Sequence, residues 1–416
     1  MTITLAVLYL MILVVGYWLR ILNLRHLKKY GSGVPKGFES VIDSETLRRS
    51  ASYTLDLGRT GLAESLLANL AGFIFLFGAG IGLYDRWVGS LTGSFVGAGI
   101  IFFLLLATAE ALLDVPFSLY RTFCIEARYG FNTMTLRLWF TDVCKSAAIA
   151  TVLLVLVTAG GLALVCVSPS MWWFWVWIFF AILALVLMYL SPYVIEPLFF
   201  TFKPVSVAGL EEEIRLLMGR AGLAVSKVME VDASRRSTHS NAYFTGIGRV
   251  KRIVLYDTLL HQMTHGEVVA VLAHEVGHWK RRHILKRLIT TELTALIACY
   301  LAFRLTGWGG LGHLLGLERA SFTAQLVIAA FLGSLAAFPL TPLSHWLSRR
   351  HEREADRFAA ALTGNPEALA SALVKLSREN LANLHPHPFY AAFHYSHPPV
   401  VERVAMLRGM ETGRAG

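Results

Sequence analysis

The chain has 416 residues, 55% of them hydrophobic and 16% charged, against about 45–50% and about 25% in ordinary soluble proteins. This excess excludes a disordered chain, a disulfide-stapled secreted module and a conventional cytosolic enzyme. It predicts several segments that cross a membrane. The net charge of +10 suits nucleic acid or anionic lipid. In a membrane protein basic cytoplasmic loops are the commoner source, so the lipid bilayer is expected as a partner and nucleic acid is not. Cys124, Cys144, Cys166 and Cys299 form no CxxC pair and lie in or beside apolar stretches. They are expected as packing residues rather than metal ligands or disulfides.

A spanning helix needs about 20 mostly apolar residues. Residues 2–19 form the first candidate, read as a retained anchor: a basic leader and an A-x-A-like cleavage site are missing, and Arg20, Arg25, Lys28 and Lys29 follow it. Residues 65–84 and 87–109 are two further runs, parted by Asp85 and Arg86. Residues 146–195 carry no charge and are too long for one helix, so Ser168-Pro169-Ser170 marks a turn between two spans. Residues 284–303 carry Lys286, Arg287 and Glu292 and have the weakest hydropathy. Residues 320–348 are charge-free as well, and Pro339 and Pro342 are expected to kink the helix. Seven spans result. Thirty-five of the 38 Lys and Arg then fall in alternate loops, and only Arg86, Arg304 and Arg319 fall on the other side. The positive-inside rule therefore puts the amino terminus outside and residues 196–287 and the carboxyl terminus in the cytosol.

The segment Glu267-Val-Val-Ala-Val-Leu-Ala-His274-Glu275-Val-Gly-His278-Trp279 carries the strongest chemical signal. Val268, Val271, Leu272 and Val276 follow helical periodicity. His274 and His278 stand at i and i+4, so their imidazoles project from one face and can share a tetrahedral zinc ion. Glu275 is rotated by about 100° from them and can take the proton of a zinc-bound water. HExxH also arises by chance on surface helices. Here it sits inside a strongly apolar helix, where unpartnered His and Glu are costly.

Four downstream carboxylates can supply a third ligand. Glu292 lies about 21 Å further along if the helix is continuous, and cannot turn back. Glu318 falls across the bilayer. Glu352 and Glu354 return to the right face after the seventh span, within Ser348-Arg-Arg-His-Glu352-Arg-Glu354-Ala-Asp356. Glu352 shares a helix face with Asp356 at i+4, whereas Glu354 points about 200° away. Glu352 is therefore the expected ligand and Asp356 the acceptor that orients a zinc-bound imidazole. Arg353 and Glu354 fit a solvated helix laced by Arg/Glu pairs.

At this point the chain resembles the type I CAAX prenyl endopeptidases, seven-span zinc metalloproteases. The resemblance covers nearly the whole chain. It rests on HEVGHWK (residues 274–280), SRRHEREAD (348–356), HSNAYFTG (239–246) followed by RIVLYDTLL (252–260), and HYSHPPVVER (394–403). Val34-Pro35 with Phe38, and Glu126 followed by Gly130-Phe131-Asn132, match early stretches. The resemblance implies one Zn2+ per chain on His274, His278 and Glu352, with Glu275 as general base. It implies that Asn241, Ala242 and Tyr243 line the substrate cleft, and that His397 and Arg403 contact the peptide near the scissile carbonyl. It further implies a chamber enclosed by the helices, and a peptide substrate with a hydrophobic or prenylated carboxyl terminus. From the residues alone, 241–244 read as a strand, and an edge strand can hold an extended peptide by backbone hydrogen bonds. His261, His265, His283, His345 and His351 lack the ligand-like spacing of His274 and His278 and are expected at the surface or beside the site.

The expected fold is mainly α, a polytopic membrane protein with about seven transmembrane helices and a cytosolic gluzincin-like zinc metalloprotease region with a small β element. Its divisions are residues 1–195 (five spans), 196–287 (HExxH segment), 288–348 (spans six and seven) and 349–416 (third ligand). The setting is an inner membrane or the endoplasmic reticulum, with the site facing the cytosol. Two other classes compete. A heat-shock type membrane zinc protease shares HExxH and a carboxyl-terminal HPP stretch but normally has about four spans. A transporter or scaffold would use intramembrane Glu110, Asp114 and Glu292 as a polar path.

Overall fold

The computed structural model describes residues 1–245 and 250–412. The chain is mainly helical, and among the described residues seven helices are long and apolar enough to cross a membrane: Thr2–Tyr30, Ser44–Phe77, Phe95–Tyr129, Leu136–Val167, Trp172–Phe199, His283–Thr306 and Phe322–Thr363. Their outward faces carry Leu10, Met11, Val14, Val152, Ile182, Leu293 and Ile297, all exposed. Such a continuous apolar exterior suits hydrocarbon, not water. Side-chain caps set several starts. Asp43 accepts from the Thr46 amide at 2.7 Å, and Thr135 and Ser321 do the same for their helices.

Sequence placed the second and third spans too late and too early respectively. The second helix begins at Ser44 and ends at Phe77, and a short helix, Gly80–Leu91, intervenes before Phe95. Hydropathy did not see the break because the residues on both sides are apolar. Ala79 takes a left-handed φ of 61° and separates the two helices. Ile81 and Val88 of the short helix then pack on Phe102, Leu311 and Ile328. Asp85 is not a stray loop charge: it accepts from the Ser321 amide at 2.8 Å and from its hydroxyl, fixing the start of the seventh span. The expected turn at Ser168–Ser170 does separate two helices, and Pro339 lies in a tighter turn, Phe338–Leu340, within the last span. Cys124, Cys144 and Cys166 are exposed on helix faces and Cys299 is half-buried, so the first three are not core packing residues.

Outside the spans, four strands form a sheet in the order β1 (Phe202–Pro204), β2 (Ala224–Val231), β4 (Val250–Tyr256), β3 (Ala242–Thr245). β2 and β4 run parallel, and the other two pairings are antiparallel. The sheet and the helix Leu210–Arg220 cover the helix His265–Lys280, whose Val268, Leu272, Ala273 and Val276 lie in one core with Ile253, Leu255, Leu369 and Leu373. The last membrane helix runs without interruption from Thr341 to Thr363, across residues 348 and 349, and enters this core through Ala359 and Ala360. One helix thus belongs to both the bundle and the sheet-bearing unit.

Candidate metal centre

The helix His265–Lys280 starts with a capping box: Thr264 and Glu267 satisfy each other's backbone amides. Glu267 also accepts from Ser371 at 2.6 Å and Lys375 at 2.7 Å, which ties the helix to Pro366–Glu379. Burial pushes the Glu267 carboxyl up, but Lys375, Ser371 and Thr264 outweigh it and hold the group below its ordinary range. Further along, the helix crosses the last membrane helix at Gly277. A Cβ there would lie 2.9 Å from the Ala355 Cα and 3.0 Å from its carbonyl oxygen. Only glycine allows this approach, and the approach is what delivers Glu352 to the histidines.

His274, His278 and Glu352 converge, with one ligand atom from each inside 4.8 Å of the others. The two Nε2 atoms are 3.2 Å apart, and Glu352 offers Oε2 to His274 at 3.4 Å and Oε1 to His278 at 3.3 Å. Glu352 Oε2 is buried without a hydrogen-bond partner. Nδ1 of His274 lies 2.8 Å from Asp356 Oδ1, so this nitrogen donates and Nε2 is the nitrogen turned toward Glu352 and His278. Two imidazole nitrogens and a carboxylate facing one point require a positive charge among them, which a proton or a metal ion supplies. The donor set therefore fits a metal ion.

Asp356 is fully buried, and Arg403 grips it with Nε at 2.8 Å and Nη2 at 2.6 Å, while Nη1 stands 3.7 Å from Glu352. Burial pushes the His274 imidazole down, but Asp356 and Glu352 outweigh it and raise the ring to about 9. Metal entry must then displace a proton from it. His397 reaches Glu352 Oε1 at 3.4 Å while its side chain remains 62% exposed. Glu275 is half-buried on the same helix and is felt by Arg403. β3 is the edge strand and packs beside the motif helix. Asn241 precedes it, with its carbonyl accepting from the Tyr256 amide at 3.1 Å. Ala242 is buried, and the Tyr243 hydroxyl donates to Glu196 at 2.8 Å. Gly246, the end of that motif, lies outside the described residues.

Several partners were missed in sequence. Of the two places expected for His283, the surface or beside the site, it takes the second: it is 4% exposed and contacts both His278 and Glu354. His239 lies 3.3 Å from Glu126 and 2.8 Å from Asn380, and Glu126 accepts from Tyr53 at 2.6 Å. Gly130, at φ +82°, ends the third membrane helix so that Phe131 can stack on His239 at 4.2 Å. The early Glu126 and Gly130-Phe131-Asn132 stretch thus docks on the segment that leads into β3. Its signal was the motif itself, without any indication of the partner.

A family model described as "CAAX prenyl protease N-terminal, five membrane helices" matches residues 23–201, and one described as "Peptidase family M48" matches residues 205–411. A CAAX prenyl protease 1 homolog of Arabidopsis thaliana is 33% identical, with 90% of each chain covered. One of Homo sapiens is 31% identical, covering 93% of this chain and 91% of the other. The crystal structure of S. mikatae Ste24p superposes with a TM-score of 0.90 at 26% identity, covering 98% of both chains. The chain belongs to peptidase family M48 as a membrane metalloprotease of the CAAX prenyl protease type.

Proposed function

We propose that this M48 metalloprotease is a zinc endopeptidase. It hydrolyses peptide bonds near the carboxyl terminus of hydrophobic or prenylated CAAX-type substrates, at the cytosolic face of the membrane. The convergence of His274, His278 and Glu352, whose buried Oε2 has no hydrogen-bond partner, carries the reading. Two imidazoles and one carboxylate form a donor set common to catalytic zinc, which supplies a Lewis acid that lowers the pKa of water to about 7 and polarises a carbonyl. Glu275 takes the proton of the attacking water and passes it to the leaving amine. Asp356, backed by Arg403, holds the His274 ring in the tautomer that leaves Nε2 free. Charge developing on the scissile carbonyl oxygen is met by His397 and by Nη1 of Arg403.

The backbone of Asn241, Ala242 and Tyr243 at the sheet edge offers hydrogen bonds to an extended peptide. The Tyr243 phenol is committed to Glu196, so its main chain is the contacting part. An apolar or prenylated tail partitions into the bilayer, and a site beside the membrane helices takes it without extracting it into water. The basic alternate loops support a cytosolic orientation.

The test incubates purified protein with a prenylated CAAX peptide and its unmodified twin, with and without chelator, and maps products by mass spectrometry. Defined cleavage of the prenylated peptide that chelator abolishes is expected. Chelator-resistant cleavage, or broad degradation of casein with the CAAX peptide left intact, overturns the proposal.

A further inference from the structure

We propose that His283 and Glu354 form a hydrogen-bonded arm that fixes the tautomer and orientation of His278, and so sets the affinity of the site for its metal. The inference rests on the zinc-site reading above. His278 turns Nε2 toward His274 and Glu352, which leaves Nδ1 as its only N–H. That nitrogen lies 3.2 Å from Nδ1 of His283. His283 must accept there, so its own proton sits on Nε2, which lies 3.1 Å from Glu354 Oε2. The order of donors is then settled along the whole chain: His278 donates to His283, and His283 donates to a carboxylate. His283 has little freedom to leave this arrangement. It is buried, and its ring stacks on His351 at 4.1 Å with 13° between the planes.

The backbone is shaped to bring the two rings together. On a continuous helix, residues five apart point about 140° away from each other. Here the motif helix stops at Lys280, and Arg282 adopts a left-handed φ of 57°, uncommon for a side chain of its size. This turn starts the sixth span at His283 and folds its ring back on His278. Glu354 arrives from the last membrane helix, two residues past Glu352, and its other oxygen is held by Arg350 at 3.1 Å. Glu352 and Glu354 project to different sides of their helix, and each serves the same imidazole: one at the metal-facing nitrogen, the other through His283 at the opposite nitrogen.

The full-length protein is stripped of metal, and its zinc affinity is measured by competition with a chelator of known strength. The visible spectrum of the Co2+ form reports ligand geometry, and melting of the metal-free protein reports folding. His283→Phe keeps a flat ring for His351 but cannot accept or donate, and should bind zinc about 10–100-fold more weakly with a shifted Co2+ spectrum. His283→Gln retains an acceptor and a donor and should restore most of the affinity. A His283→Phe protein with wild-type affinity and an unchanged Co2+ spectrum overturns the proposal. Should that variant fail to fold, Glu354→Ala decides: weakened binding with a changed spectrum supports the arm, and no change refutes it. Wild-type protein that takes up no zinc refutes the metal site itself, whereas normal wild-type uptake with an unaffected His283→Phe refutes only the arm.

Discussion

The two imidazoles of the HExxH motif are held by opposite means. His274 is 7% exposed and meets a carboxylate directly; that carboxylate is fully buried and gripped by two nitrogens of Arg403. His278 is more open and meets its carboxylate through a second imidazole, and Glu354 is partly exposed and shared with Arg350. The first support is rigid because every group in it is buried and paired, and a buried pair is costly to break. The second is softer, since water can compete for Glu354. A site with one rigid and one yielding ligand can keep its metal while its geometry adjusts to a peptide.

The largest effects should come from the motif residues themselves, ahead of either support. Glu275→Gln should retain metal and lose turnover by about 100-fold to 10,000-fold. His278→Ala should lose metal and activity together. Measuring bound metal beside the rate of peptide cleavage separates the two, and a normally active Glu275→Gln protein removes this residue from the mechanism.

Next in size, Asp356→Asn should cost more metal affinity than Glu354→Gln. The first change strips Arg403 of its charge partner in a buried place, and zinc affinity should fall by about 10–100-fold. The second alters a group that solvent already reaches, and a loss of several-fold at most is expected. Chelator competition on both variants ranks them. Equal losses would erase the distinction between a rigid and a soft side.

How far these supports could be read beforehand follows the same division. Asp356 was legible because it lies four residues from Glu352 on one continuous helix, and helical periodicity places both on a face. The pairing of His274 with His278 was legible for the same reason, while the approach of Glu352 to them followed from the return of the last span. His283 was expected only as one of five histidines at the surface or beside the site, because five residues separate it from His278 and helical spacing does not bring the two rings together. The left-handed Arg282 carries no residue signature, unlike the glycines that usually occupy such positions. The number of spans followed from the apolar runs, but the break at Ala79 and the amphipathic helix Gly80–Leu91 did not, since hydropathy averages over a break flanked by apolar residues. The Glu126–His239 contact joins residues 113 apart, and a single sequence holds no record of such a pairing.

Both supports depend on the crossing of the motif helix with the last membrane helix. Gly277→Ala places a methyl group against the Ala355 backbone, so the two helices must separate by some tenths of an ångström. The predicted cost is about 1–3 kcal/mol of stability, read as a lower melting temperature. Glu352 and Asp356 both ride on the displaced helix, so metal affinity should fall as well. A variant that melts and binds zinc like the wild type would show that the crossing is slack.

The smallest effect tests whether anchoring the motif helix differs from orienting its histidines. Glu267 sits at the other end of that helix, buried between Thr264, Ser371 and Lys375. Its carboxyl is held below the ordinary value of 4.5, so its stabilising contribution is complete above that pH and is lost as pH falls through the lowered folded value. Glu267→Gln removes the charge that Lys375 requires but keeps the shape, and should cost about 2 kcal/mol at neutral pH. The difference in melting temperature between this variant and the wild type should stay constant from pH 8 to 6. It should shrink below about pH 4, where the wild-type carboxyl takes up its proton as well. Because Glu267 acts on the helix as a whole, neither imidazole should be favoured, and zinc affinity at neutral pH should change far less than in Asp356→Asn. A gap that persists unchanged at acid pH would mean that Glu267 stabilises the helix by packing alone and that its charge is idle.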